Sequence, residues 1–180
     1  RIDLFKQSFT QDILRVVREL RRQHRAIPVS QIIIDQDGIG VKDSLECRIF
    51  QGGGTPYKVR SSEMQKSMPS FYKNRRTQHY YLLAEKFNDP SGCKVFIDLD
   101  NVWLHSSPID YAKVKYVDVQ GKRLEIRAMI RDDLRTLKME NPDTEGRKEI
   151  TSKELQKVAL GGRSPDFGDM LMMRSEFEFV

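Results

Sequence analysis

The chain has 180 residues, with 31 lysines and arginines against 26 aspartates and glutamates and a formal net charge of +5. This length suits one domain with a hydrophobic core and excludes a second full domain, while the basic balance favours a polyanionic partner. The 2 cysteines form no C-x-x-C motif, which argues against structural zinc, and no apolar run approaches the roughly 20 residues of a transmembrane helix.

The N-terminal part predicts strands that alternate with a helix. "RIDLFKQS" is typical of a short strand, and "TQDILRVVRELRRQHR" of an amphipathic helix. The next segment, "VSQIIID", is apolar on both alternating faces, which is typical of a strand buried between two layers. After a glycine turn we expect a short helix and then a strand at "CRIF". This order predicts an α/β fold.

The middle of the chain predicts a loop, a long helix and further strands. "QGGGTPY" has the composition of a loop. "SMPSFYKNRRTQHYYLLAEKFN" predicts a long helix with the basic residues Lys73, Arg75 and Arg76 near its start. "CKVFIDLDNVWL" and "YAKVKYVDVQGKRLEI" predict strands, the second folded into a hairpin at Gln120 and Gly121.

The C-terminal part predicts three more helices. "AMIRDDLRTLKM" is amphipathic, and Thr151 with Glu154 forms a capping-box pattern for "SKELQKVAL", which Gly161 and Gly162 end. In the last helix, "PDFGDMLMMRSEF", Pro165 takes the first position. The side chains of this helix expected to pack against the sheet are Phe167, Met170 and Leu171.

The stretch "IIIDQDGIGVKD" is compatible with several kinds of site. A dinucleotide-binding turn needs G-x-G-x-x-G, but Asp43 stands in place of the third glycine, and Asp35 and Asp37 would repel a pyrophosphate. No G-x-x-x-x-G-K-S/T phosphate loop occurs. Turn residues that cap the next helix are the simplest interpretation. The position of Asp35 at the carboxyl end of a strand instead favours a ligand site.

A second pair of carboxylates, Asp166 and Asp169, lies at the start of the last helix and shares one helical face. An acid near a helix N-terminus gains about 0.3 to 1 kcal/mol from the helix dipole. This explains Asp166 better than Asp169, which lies in the second turn. If Asp35 and this pair converge, they form an all-oxygen site suited to Mg²⁺ or Mn²⁺.

Three segments resemble, in order, the C-terminal nuclease domain of the large terminase subunit of tailed bacteriophages. They are "IIIDQDGIGVKDSL", "KNRRTQHYYLLAEKFN" and, most specifically, "KEITSKELQKVALGGRSPDFGDMLMMR". The resemblance implies a single RNase H-like domain over residues 1–180, with a mixed sheet flanked by helices and its first strands missing. It also implies an ATPase motor domain in the full-length protein.

The resemblance implies a metal-dependent DNA endonuclease that cuts concatemeric viral DNA during genome packaging. By position, Asp35, Asp169 and Asp166 hold two Mg²⁺ or Mn²⁺ ions for phosphodiester hydrolysis. The implied partners are double-stranded DNA, the motor domain, small terminase and portal, and no membrane. The implied source is a phage or prophage, and the implied location is the cytoplasm of its bacterial host. The expected phosphate contacts are Lys73, Arg75, Arg76 and Arg163.

One departure from the family's pattern concerns the first catalytic aspartate, whose strand is expected upstream of Arg1. We therefore expect this chain alone to be weakly active or inactive. Asp98 or Asp100 can substitute only if the fold is rearranged. The alternative function is a catalytically inactive RNase H-like module that binds DNA or protein and in which the acids are structural.

Overall fold

The chain forms two compact units, Arg1–Phe50 with Asp98–Lys115 and Gln51–Ile97 with Tyr116–Val180. The computed structural model describes residues 18, 22, 28–36, 48–58, 71–97, 103–105, 111–113, 115–119, 121–140 and 146–179. No helix within these ranges is long and apolar enough to cross a membrane. The single-domain organisation stays a prediction.

The first unit contains a parallel pair of strands. β1 (Ile33–Asp35) follows a short 3-10 helix and pairs with β2 (Arg48–Phe50), so that Asp35 lies opposite Phe50. This pair confirms the strands predicted at "VSQIIID" and "CRIF". All three residues of β1 are half-buried, so the expectation of full burial on both faces is wrong. An unbroken apolar run also suits a strand whose faces are both only partly covered.

A second, antiparallel pair in this unit joins β3 (Trp103–His105) to β4 (Tyr111–Lys113). The strand predicted at "CKVFIDLDNVWL" is confirmed only at its end, because residues 92–97 are irregular. Arg18 and Arg22 are helical and exposed, as the amphipathic helix predicts. The strand "RIDLFKQS", the helix after the glycine turn, and Asp37, Asp98 and Asp100 lie outside the described residues.

The second unit begins with the predicted loop and the predicted long helix. α1 (Arg75–Phe87) is shorter than expected, because the Asn74 side chain caps it by accepting the Thr77 N–H at 2.9 Å. Its buried face is partly polar. The buried residues of α1 are Thr77, Gln78, His79, Tyr80 and Leu83.

A hairpin and a helix follow. β5 (Tyr116–Val119) and β6 (Lys122–Glu125) pair around the predicted turn, where Gly121 has a φ of 74° that a residue with a Cβ rarely adopts. The chain then enters α2 (Ile126–Arg135), which buries Ile126, Met129, Ile130 and Asp133. Three of these four residues are apolar, and the fourth is a carboxylate.

The remaining elements surround the C-terminal helix. They are β7 (Met139–Glu140), β8 (Glu149–Ile150), α3 (Lys153–Ala159), α4 (Asp166–Met173) and a 3-10 helix at Arg174–Glu178. α4 packs against both α1 and α2. The strands in the described ranges form one parallel and three antiparallel pairs, which confirms a mixed α/β fold but not one continuous sheet.

Two details of the C-terminal helices differ from expectation. Ser152, not Thr151, caps α3 by accepting the Leu155 N–H at 3.3 Å, while the Thr151 hydroxyl bonds to the backbone of Lys138. In α4, Met170 is 49% exposed and Met172 is buried in its place. The expected packing of Met170 is wrong, because the buried face of α4 also includes a glycine and an aspartate.

A buried polar cluster attaches the C-terminal 3-10 helix to α1. His79 Nδ1 lies 2.9 Å from the Ser175 hydroxyl, and His79 Nε2 lies 3.2 Å from a carboxylate oxygen of Glu176. Tyr57 donates a hydrogen bond to the same carboxylate. Burial, helped by the Arg75 guanidinium, lowers the pKa of His79 to about 4. These effects outweigh the opposing effects of the Met172 backbone and of Glu178, so His79 is neutral at pH 7.

Because the pKa of His79 is lower in the folded chain, the unfolded chain binds more protons between about pH 4 and 6.5. We expect this contribution to stability to be complete above about pH 6.5 and to fall by about 3 kcal/mol as the pH drops to about 4. Urea unfolding at stepped pH measures it. His79→Asn keeps a donor for Ser175, and an equally steep loss of stability in this variant would contradict the assignment.

Candidate active site

Asp169 is a buried carboxylate, 5% exposed, in the first half of α4. The Tyr80 hydroxyl donates to its Oδ1 at 2.8 Å, and Arg76 Nε lies 3.6 Å from the same oxygen. Lys153 Nζ lies 2.8 Å from the other oxygen, Oδ2. Burial, with the adjacent Asp169 charge, raises the pKa of Tyr80, so its O–H stays a donor. Asp169 therefore sits among one neutral donor and two cations.

Arg76 is held by two other contacts besides the one with Asp169. Its Nη1 donates to the Thr151 carbonyl at 3.1 Å, and its Nη2 donates to the amide oxygen of Gln156. The fully buried Gln156 amide also donates to Thr136 Oγ1 at 2.8 Å. The Arg76 side chain is only 14% exposed and makes contacts in the interior, and its predicted phosphate contact stays a prediction.

A second buried carboxylate, Asp133 on α2, completes the start of α4. One oxygen accepts the backbone N–H groups of Phe167 and Gly168 at 3.1 and 3.0 Å. The other lies 2.6 Å from Arg163 Nη2. The N-cap position of α4 is Pro165, which makes no side-chain cap bond. Asp133 therefore supplies from another helix the cap that α4 lacks.

Burial raises the pKa of Asp133, while Arg163 and the two N–H donors act in the opposite direction. Asp133 was not predicted, because a cap supplied by another helix leaves no pattern in the residues next to α4. A signal was present, since Asp133 follows Met129 and Ile130 at helical spacing on an otherwise apolar face. A carboxylate at such a position needs a buried partner.

Arg163 is 11% exposed, paired with Asp133, and donates to the Ser164 carbonyl at 3.1 Å. These contacts favour a structural role over the predicted phosphate contact. Lys73 is 54% exposed and contacts Glu149.

Arg75 lies 4.1 Å from the Tyr57 ring centroid. Phosphate binding by Lys73 and Arg75 stays a prediction.

The three predicted acids occupy different surroundings. Asp166 is exposed at the first position of α4, one turn before the buried Asp169. Asp35 is half-buried at the end of β1, in the first unit. The convergence of Asp35 with the acids of α4 stays a prediction.

The groups around Asp169 can be compared with the ligands that a divalent metal ion requires. The described residues contain no group of three or more acids, histidines or cysteines that could hold a metal. Asp169 Oδ2 nevertheless suits a metal ligand, because it is a buried carboxylate oxygen paired with the Lys153 ammonium at 2.8 Å, a cation whose place a metal ion can take. Further ligands must come from other acids.

Asp133→Ala is expected to lower the free energy of unfolding by about 3 kcal/mol, because it leaves the buried Arg163 charge and two backbone N–H groups unpaired. Chemical denaturation measures this loss. Asp132→Ala is the matched control, because the neighbouring Asp132 side chain is 48% exposed and its expected change is below about 0.5 kcal/mol. Equal effects of both substitutions would exclude the capping role.

Gly168 allows α1, α2 and α4 to approach closely. A Cβ at this position would lie 3.0 Å from Asp133 Cβ and 3.3 Å from the Tyr80 hydroxyl. Gly168→Ala is therefore expected to destabilise the fold by about 1 to 2 kcal/mol despite the better helix propensity of alanine. Gly53→Ala, with nothing within 4 Å of the added Cβ, is the control for thermal unfolding. A stabilised Gly168→Ala would refute this packing.

The comparisons identify one group of solved structures with this fold. The nuclease domain of the large terminase subunit gp2 of bacterial virus Sf6 aligns over 89% of this chain and 70% of its own, with a TM-score of 0.53 and 18% identity. Point mutants of that domain solved with manganese and beta-thujaplicinol, and with calcium, align over the same shares with TM-scores of 0.53 and identities of 16% and 17%. No family model and no curated protein matches the sequence. The chain therefore shares the fold of a phage terminase nuclease domain, which confirms the resemblance at the level of the fold.

Proposed function

We propose that this chain is a terminase-type nuclease domain that hydrolyses phosphodiester bonds of double-stranded DNA with the help of divalent metal ions. The observation that carries the proposal is Asp169, a buried carboxylate whose Oδ2 is paired with the Lys153 ammonium in a fold shared with a viral nuclease domain. Solved forms of that neighbour contain manganese or calcium. These neighbours support an oxygen-ligand site for Mg²⁺ or Mn²⁺ in this chain.

The ligands we propose are Asp169, Asp35 and Asp166. Asp169 supplies a buried oxygen, Asp35 a half-buried carboxylate at a strand end, and Asp166 an exposed carboxylate on the same helix as Asp169. A bound pair of divalent ions supplies an activated water and stabilises the leaving 3′-oxygen.

The other residues prepare this chemistry. Tyr80 and Arg76 orient Asp169, and Lys153 neutralises it while no metal is bound. Because Lys153 is 32% exposed, its long side chain can turn towards solvent and a phosphate group. Lys73 and Arg75 are the remaining candidates for sequence-independent phosphate contacts.

The biological role we propose is the cutting of concatemeric viral DNA during packaging. In this role the domain acts with an ATPase motor domain, small terminase and portal in the cytoplasm of a bacterial host. The proposal rests on the shared fold and on the sequence resemblance.

A second candidate function is a binding module without catalysis. It is favoured by the same contacts of Asp169, because a carboxylate held by Tyr80, Arg76 and Lys153 also forms a complete structural ion-pair cluster. In that case Asp169 would contribute to stability and not to metal binding.

Mn²⁺ binding by the purified chain separates the two functions. Asp169→Asn and Asp35→Asn are each expected to weaken Mn²⁺ binding at least tenfold, because each removes the charge of a proposed metal ligand. The effect of losing a ligand exceeds the 10- to 100-fold effect of losing a residue that hydrogen-bonds to a ligand. Paramagnetic resonance of free Mn²⁺ measures the affinity. Nicking of plasmid DNA, however slow, is expected to follow the same order among the variants.

The matched control is Asp118→Asn, which changes an exposed aspartate of the β5–β6 hairpin. Circular dichroism establishes that each variant is folded. If folded Asp169→Asn and Asp35→Asn bind Mn²⁺ as tightly as wild type and Asp118→Asn, the nuclease proposal is wrong and the binding module is retained.

A further inference from the structure

The two oxygens of the Asp169 carboxylate have different surroundings. Oδ1 accepts the Tyr80 hydroxyl at 2.8 Å and lies 3.6 Å from Arg76 Nε. Oδ2 lies 2.8 Å from the Lys153 ammonium, its ion-pair partner. One oxygen is therefore held by the interior, and the other faces a side chain that reaches solvent.

The groups that hold Oδ1 are themselves fixed. Tyr80 and Arg76 lie one turn apart on α1, and the guanidinium carbon of Arg76 lies 5.1 Å from the Tyr80 ring centroid. Arg76 is anchored in turn by the Thr151 carbonyl and Gln156. Neither side chain that holds Oδ1 can move without breaking buried contacts.

The space around the Tyr80 hydroxyl also depends on the sequence of α4. Any Cβ at Gly168 would lie 3.3 Å from this oxygen, next to the Asp133 Cβ at 3.0 Å. Asp133 cannot move aside, because it is bound by Arg163 and by two N–H groups of α4. Because Gly168 has no Cβ, it leaves the space that the hydrogen bond from the Tyr80 hydroxyl to Asp169 needs.

We infer that Tyr80 is a positioning residue of the metal site, which reserves Oδ1 of Asp169 for the protein and leaves Oδ2 as the oxygen that binds the metal. The inference rests on the proposed function, since only there is Asp169 a metal ligand. Hydrogen bonds to a ligating carboxylate fix its orientation and affect metal affinity 10- to 100-fold.

The test must separate the Tyr80 hydroxyl from its buried ring. Tyr80→Phe removes one oxygen and keeps the ring contacts in the core. Tyr81→Phe is the matched control, because Tyr81 is the next residue of the same helix and its hydroxyl makes no hydrogen bond in the described part of the chain. We expect Tyr80→Phe to weaken Mn²⁺ binding about tenfold and Tyr81→Phe to leave it within twofold of wild type.

A double-mutant comparison distinguishes positioning from general loosening of the fold. In the Asp169→Asn background, Tyr80→Phe is expected to cause no further loss of Mn²⁺ affinity, because both substitutions act on one ligand. Equal Mn²⁺ affinities of Tyr80→Phe and Tyr81→Phe would overturn the inference. If Asp169→Asn itself leaves Mn²⁺ binding unchanged, the proposed function fails first, and the two failures are thus distinguishable.

A crystal structure of the wild-type chain with Mn²⁺ tests the inference without any substitution. The metal is expected on Oδ2 of Asp169, with Oδ1 still within hydrogen-bonding distance of Tyr80. A metal bound to Oδ1, with the Tyr80 bond broken, would overturn the inference even if Tyr80→Phe does not fold.

Discussion

The ion pair between Asp133 and Arg163 is the contact on which the candidate site depends. The N-cap of α4 is Pro165, whose side chain cannot accept a hydrogen bond, so the first N–H groups of α4 need an acceptor from elsewhere. Asp133 provides it, and Arg163 neutralises the buried charge. Because α4 carries Asp169 near its start, the position of this candidate ligand is set by another carboxylate on α2.

The interior of the second unit, Gln51–Ile97 with Tyr116–Val180, holds charged as well as apolar side chains. Asp133 and Asp169 are both buried, and each has a guanidinium nearby, from Arg163 and Arg76. A buried charge without a partner costs several kcal/mol, and a well-paired one is close to neutral in its effect on stability. These pairs therefore contribute little net stability, but they tolerate few alternative arrangements.

The sequence predicted most of the described helices and strands and named Asp169 as a candidate ligand, but it did not reveal the contacts between residues far apart in the chain. Asp169 stood out in the sequence because the helix dipole explains an acid at its position less well than it explains Asp166. The Asp133 cap did not, because it acts on Gly168, 35 residues later in the chain. Arg163 illustrates the same limit, since its proximity to the acidic pair in sequence suggested DNA while its partner lies on α2.

α3 has its amphipathic character reversed, with Gln156 fully buried while Leu155 and Val158 are exposed. Its attachment to the unit therefore rests on hydrogen bonds and an ion pair, which are largely enthalpic, and much less on apolar burial. Segments with few buried apolar contacts open locally at a lower free energy than an apolar core. Since α3 carries both Lys153 and Gln156, its release would free Arg76 and Asp169 together. The working temperature range of the site is then set by the docking of one short helix and not by the melting of the whole chain.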